Sequence, residues 1–181
     1  MHYTIALDER AGYAYALAGL ARVAVANKAL SKAIDYYRTA DSMINDYTIK
    51  EEWADAYALA GKKESADSLT AIVIKELSRD EQNSLSNDNI GHYADRELAY
   101  AYLKANNYDK ALEHALMEYN RRPDNIDVNE TVAWVYYCKK QYAEALPYLR
   151  VALKTHSRNP VLLSRAGLIF ASIGDHPVTS K

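Results

Sequence analysis

The sequence predicts an all-α chain laid out as a solenoid of about four helix-turn-helix units with a half-unit at each end, and three observations carry that prediction. The stretch from Glu97 to Asn159 states one pattern twice. ELAYAYLKANNYDKALEHA and TVAWVYYCKKQYAEALPYL align at a spacing of 34 residues, with Leu98 on Val132, Ala99 on Ala133, Tyr102 on Tyr136, Tyr108 on Tyr142 and Ala111 on Ala145. A fixed period of that length marks an array in which each helix pair buries its apolar face only against its neighbours. Within each unit, apolar residues recur three and four positions apart, and small residues stand where two helices must approach closely. Finally, the 181 residues are 49% apolar with only 6 Gly and 4 Pro, a composition of helices joined by few tight turns.

In chain order, the segment 1–13 is too short for a unit of its own. Tyr3 and Ala6 nevertheless stand 34 residues before Tyr37 and Ala40, so the segment reads as the end of a truncated preceding repeat, with the natural protein extending upstream. Residues 14–46 form the first full repeat: a helix over 14–26, a turn at Asn27-Lys28 and a helix over 30–44. Leu17, Leu20, Ala21 and Ala24 make the apolar face of its first helix, and Leu30, Ala33, Ile34, Tyr37 and Ala40 that of its second. Residues 47–91 form the second repeat, with Trp53, Ala54 and Tyr57 before a helix stop at Gly61. Ala66 and Ala111 are 45 residues apart, 11 more than the period. Such an insertion is about three helical turns and leaves the apolar stripe unrotated. A long second helix is therefore expected, with Ile72, Val73, Leu77 and Leu85 continuing the seam before a loop at Ser86-Asn87-Asp88-Asn89.

The third repeat, 92–125, carries helices over 92–105 and 108–120 and is closed by Pro123, which cannot continue a helix. The fourth, 126–159, carries helices over 127–139 and 142–156, with Pro147 near the start of the second causing at most a mild bend. A half-repeat at 160–175 follows: Asn159 caps, Pro160 takes the first turn, and the helix carries Ala166, Gly167 and Phe170 before ending at Gly174-Asp175. The tail, 176–181, is expected to be disordered.

Several functional classes find no support. A net charge of −2 provides no global field for nucleic acid, and the basic spot Arg121-Arg122 lacks the positive neighbours that following a phosphate backbone requires. No apolar window is long enough to span a membrane. Cys138, the only cysteine, excludes a disulfide framework; Lys139 and Lys140 beside it could lower its pKa, but no positioned base accompanies it. His2, His92, His114, His156 and His176 are scattered, without an HExxH, and there is no GxGxxG, P-loop or GxSxG. The chain is accordingly read as no enzyme, without metal or cofactor, and its compartment stays open between cytoplasm and periplasm.

These residues resemble the tetratricopeptide repeat family. Leu98-Ala99, Tyr102, Asn106, Tyr108, Ala111 and Pro123 match its 34-residue signature in one unit, and Val132-Ala133, Tyr136, Tyr142, Ala145, Leu149 and Ala152 in the next. Ala166-Gly167, Phe170 and Gly174 add a partial match, although unit one has Ala24 where an aromatic is expected. The resemblance covers roughly 3–175. It implies a right-handed α-α superhelix whose first helices line a concave groove, and a partner that is a protein or peptide. The family's best-known mode grips a C-terminal carboxylate with Lys and Asn. The matching places here hold Ala18, Arg22, Glu52, Tyr93 and Glu97, so that clamp is absent and an internal or apolar segment is the expected ligand.

If first helices line the groove, residues one and four beyond each small residue, and three and six before it, face away from the core. That reasoning selects Arg22, Asp55, Tyr93, Arg96, Tyr100, Leu103, Glu130, Trp134, Tyr137 and Leu168 as partner-binding candidates, with the aromatic ones in the later half. Two arrangements of these rings stay open: a docking floor, or rings that cover one another and pack under the long second helix of unit two. The insertion at 78–91 could also fold across the opening. Two functions follow, an interaction module holding a peptide or protein surface in the groove, and a structural segment that self-assembles into a homo-oligomer through its open repeat ends.

Overall fold

The computed structural model describes residues 2–9, 13–85 and 93–174, the side chains of 6–9 and 81–85 excepted. Among the described residues every regular element is an α-helix: α1 (His2–Glu9), α2 (Ala14–Ala26), α3 (Leu30–Asp41), α4 (Tyr47–Leu59), α5 (Lys63–Leu85), α6 (Asp95–Lys104), α7 (Tyr108–Arg121), α8 (Ile126–Cys138), α9 (Tyr142–Leu153) and α10 (Pro160–Ile173). The expected loop at 86–89 and the tail at 176–181 lie outside the described residues. The chain divides into two compact units, Met1–Arg79 and Asp80–Lys181.

The period visible in the sequence recurs in the backbone at the end of each first helix. Lys28, Gly61, Asn106 and Lys140 all sit at positive φ, 59°, 73°, 57° and 61°. In each case the next amide reaches back five residues: Ala29 N to Ala24 O at 2.8 Å, and Lys62 N to Tyr57 O, Asn107 N to Tyr102 O and Gln141 N to Tyr136 O at 2.9 Å. This closure satisfies carbonyls that the helix end would otherwise leave open, and it turns the chain into the second helix. Gly174, at φ 68°, ends α10 in the same left-handed conformation.

Three helix ends fall three residues short of the expected bounds, each for a local reason. α3 stops at Asp41 because the Ser42 hydroxyl turns back to Thr39 O at 2.7 Å while the amides of Met43 and Ile44 both bond Ala40 O. α9 stops at Leu153, and His156 reverses the chain at φ 53° with its amide on Leu153 O. α6 begins at Asp95, whose buried carboxylate meets His114 Nδ1 at 2.7 Å and the Arg121 guanidinium. α5 is long, at 23 residues. Val73 and Leu77 continue its buried seam, but Ile72 is 44% exposed and does not, since it stands one residue, about 100° of helix, before Val73.

In the first unit α2 packs on α3, α3 on α4 and α1 on α2. Ala18, Ala21, Ala33 and Ala40 are fully buried, with Ile34, Tyr37 and Ile49 filling the space between them. Small against large is how helices interdigitate at close approach. Gly19 marks a tight contact: a Cβ there would stand 2.3 Å from the Tyr3 ring of α1. Lys50 is buried but answered by Asn45 Oδ1 at 2.6 Å and by the carboxylates of Asp41 and Glu76 at 2.9 and 3.5 Å. The Asp41 contact is a bent charge contact, not an aligned hydrogen bond, so that oxygen has only the ammonium to offset its burial.

In the second unit α6 packs on α7, α8 on α9, α7 on α8 and α9 on α10, while the first helices α6, α8 and α10 lie successively side by side. Ala111 and Ala145 are both fully buried and play the same part, one against Ala99, the other against Ala133. The phase read from the sequence is therefore the phase of packing. Glu118 on α7, 3% exposed, is held by Arg121 and Arg122, and Arg121 also reaches Asp95, so the start of α6 is tied to the end of α7.

Candidate functional site

Side by side, α6, α8 and α10 present one wall of the second unit, and the polar and aromatic residues on it bond across the helix boundaries. Tyr100 on α6 donates its hydroxyl proton to Glu130 Oε2 on α8 at 2.8 Å. Thr131 Oγ1 lies 3.2 Å from the Tyr100 oxygen and 2.9 Å from Asp127 O, so one proton is shared between a neighbouring helix and its own. Arg165 on α10 closes the group. Its guanidinium bonds Glu130 Oε1, donates to the Tyr100 oxygen at 2.9 Å, and lies 5.2 Å from the centre of the Tyr100 ring and 4.7 Å from that of Trp134. Arg96 lies 5.5 Å from the Tyr100 ring and donates through Nε to Thr131 Oγ1 at 3.3 Å. Trp134 and Tyr137 stack, centroids 4.8 Å apart and planes 14° from parallel.

Electrostatics follow from this geometry. Burial pushes the Tyr100 hydroxyl above the ordinary tyrosine value, and the Glu130 carboxylate adds to the shift against the opposing pull of Arg165. Burial works against the charge of Arg165, but the Tyr100 oxygen and the Glu130 carboxylate outweigh it and hold the guanidinium above its usual range. Cys138 behaves opposite to the expectation drawn from its lysine neighbours: burial raises the thiol pKa, and Arg165 lowers it only in part. Lys139 instead pairs with Asp109.

The structure thus brings Arg96, Tyr100, Glu130 and Trp134 to one group, with Tyr137 stacked at its edge. Of the other candidates, Tyr93, Leu103 and Leu168 belong to the same unit but share no hydrogen bond or ring contact with that group among the described residues. Tyr93 is exposed but lies under the Arg121 guanidinium, 4.1 Å from its ring centre, beside the Asp95 cluster. Leu103 packs against the core between α6, α7 and α8. Leu168 is exposed on α10. Arg22 and Asp55 belong to the first compact unit, where Arg22 Nε bonds Glu52 at 2.9 and 3.0 Å and Asp55 is exposed. The side chain laid over both the Trp134 and the Tyr100 ring is Arg165.

Sequence reasoning missed Arg165 and Thr131. Both stand two residues before the small position, as does Glu52, and each reaches the residue one beyond the small position of the preceding first helix: Glu52 to Arg22, Thr131 to Tyr100, Arg165 to Trp134. At about 100° per residue that offset is the shoulder of the stripe, which faces the neighbouring helix rather than solvent. The opposite charges of Arg22 and Glu52 were a legible signal of it.

No protein-family model and no curated protein matches the chain. Solved structures do. YrrB, described as a TPR protein with an unusual peptide-binding site, is 13% identical, with 98% of this chain and 86% of that one covered at a TM-score of 0.50. PilF of Pseudomonas aeruginosa is 16% identical over 96% of this chain and 74% of its own, TM-score 0.55. A tetratricopeptide repeat protein from Parabacteroides merdae is 16% identical, TM-score 0.59, with 96% of this chain covering 65% of that one. Likeness at these identities is one of fold: the chain has the tetratricopeptide repeat fold, all-α with helices packed in adjacent pairs.

Proposed function

We propose that the chain is a non-catalytic interaction module that holds a peptide or protein segment on the wall formed by α6, α8 and α10. One observation carries this reading: a cavity of about 260 Å³ opens on that wall, lined among others by Arg96, Tyr100, Glu130, Val161 and Arg165, and the half-buried Trp134 and Tyr137 stand on the same helix as Glu130. Cofactor-sized pockets run to roughly 300–1,000 Å³, so the space suits one or two side chains better than a cofactor. Stacked rings bury a large area with little loss of rotamer freedom, which is what an anchor for a partner needs. Among the described residues no group of three or more His, Cys, Asp or Glu could hold a metal ion, and no helix is long and apolar enough to cross a membrane. The peptide-binding site named for YrrB adds support by analogy of fold. Selection from a displayed library of random decapeptides tests the reading: the wild-type chain should retain a recurring motif, and the Trp134→Ala/Tyr137→Ala variant, with helicity unchanged, should retain none.

A second reading, self-assembly, rests on α10. Gly167 and Phe170 occupy the places at which α6 presents Ala99 and Tyr102, and α8 presents Ala133 and Tyr136, to a second helix; here Leu163 beside them is 49% exposed and an added Cβ at Gly167 would meet nothing. A second copy would cover this face. Light scattering over a dilution series should then show a concentration-dependent mass that Leu163→Lys abolishes, and a constant mass would refute it.

A further inference from the structure

We infer that the segment held on this wall carries an acidic side chain, Asp or Glu, that enters the cavity and pairs with Arg96; the inference rests on the interaction reading above. Of the two arginines lining the cavity, Arg165 has its charge answered by Glu130 and its faces taken by Tyr100 and Trp134. Arg96 does not. It uses Nε alone, on Thr131 Oγ1, and among the described residues its two terminal nitrogens have no acceptor and it pairs with no carboxylate. The Tyr100 ring and the Thr131 hydroxyl orient the guanidinium, leaving its end-on pair of N–H groups available, the geometry that a carboxylate fills with two parallel hydrogen bonds.

The other groups at the cavity bear on the sign of the ligand. Glu130 is already neutralised, so the wall offers no free anion there for a cationic side chain. Asp127 also lines the cavity but lies in the first turn of α8, where Asn125 Oδ1 accepts from its amide at 2.9 Å and the helix N-terminus favours a negative charge; it makes no ion pair with Arg96. Asn159 spends its side-chain carbonyl on the amides of Val161 and Leu162, and among the described residues its amide donors have no acceptor. Apart from the Asp127 carboxylate, whose charge the helix N-terminus offsets, the uncommitted groups among the described residues on this part of the wall are donors, with the aromatic pair on α8 beside them for an apolar neighbour of the acid.

The test uses the full chain, decapeptides selected from the random library, and their Asp→Asn or Glu→Gln counterparts, with affinities from calorimetry. Selected peptides should share an acid close to an aromatic or aliphatic residue. Removing the acid's charge should weaken binding to the wild type roughly tenfold or more, as for a charge-assisted contact. Against Arg96→Gln the same exchange should make no difference, and Arg96→Lys should recover part of the preference. Selected peptides without a required acid, or an equal penalty in Arg96→Gln, would overturn this inference alone. If the wild type retains no peptide at all, the interaction reading falls and this one with it.

Discussion

Lys140 holds its backbone at φ 61°, the left-handed region that costs a residue with a Cβ about 1–2 kcal/mol. Lys28 and Asn106 do the same at the corresponding turns, while the turn after α4 uses Gly61, for which the conformation carries no steric penalty. The hairpin closure is common to all four, so the geometry is dictated by the repeat and the residue merely tolerates it. Substituting Lys140→Gly should therefore raise stability by about 0.5–1 kcal/mol after the greater chain entropy of glycine is set against the relieved strain. A higher urea midpoint with an unchanged denaturant slope is the expected result. These positions were only partly legible in advance: Gly61 announces a stop by its chemistry, whereas a lysine in the same conformation is recognised only from its place in the period.

At the scale of elements, α10 is fastened to α9 and α8 by an apolar cluster through Leu162, Ala166 and Ile169, and to α8 also by Arg165 on Glu130. Glu130 is 9% exposed, and the side chain of Arg165 is 21% exposed. Truncating Arg165→Met leaves a nearly buried carboxylate facing the Tyr100 hydroxyl alone. The expected cost is about 2–3 kcal/mol, below the full penalty of a wholly buried pair because solvent still reaches the guanidinium. Pairing the change with Glu130→Gln should recover much of that loss, and a double-mutant cycle by chemical denaturation measures the coupling. Additive losses would mean that Arg165 packs without pairing. Helix bounds at this scale were readable wherever a cap or a period spoke for them, as at Asn159 and Pro160. They were missed by three residues where a side chain such as Ser42 turned the backbone early.

The whole molecule carries 16 tyrosines, and the environment of several of them sets an alkaline limit on stability. Burial raises the hydroxyls of Tyr37, Tyr100 and Tyr148 above their ordinary value; Glu52 adds to the first and Glu130 to the second. A group whose folded pKa is raised contributes stability that is complete below its unfolded pKa, near 10 for tyrosine, and lost as pH climbs toward the folded value. Urea denaturation should thus show a plateau through neutral pH and a decline beginning at about pH 10. Tyr37→Phe and Tyr100→Phe should each flatten that decline, and an unaltered slope in both would show that these hydroxyls titrate as in the unfolded chain.

The helix pairs, their phase and the small residues at their crossings were determined by the sequence alone, because each is a local pattern repeated until chance is excluded. Ala111 and Ala145 could be matched on paper because the same backbone contact is made in both units. Which charges cancel was decided only by the tertiary structure. Glu130 and Arg165 are 35 residues apart, and whether they or Arg96 and Glu130 pair depends on the separation of three neighbouring helices and on side-chain rotamers that no period encodes. The aromatic wall was visible as a list of residues; the arginine laid across it, and the one whose terminal nitrogens find no acceptor among the described residues, emerged when α6, α8 and α10 were set side by side.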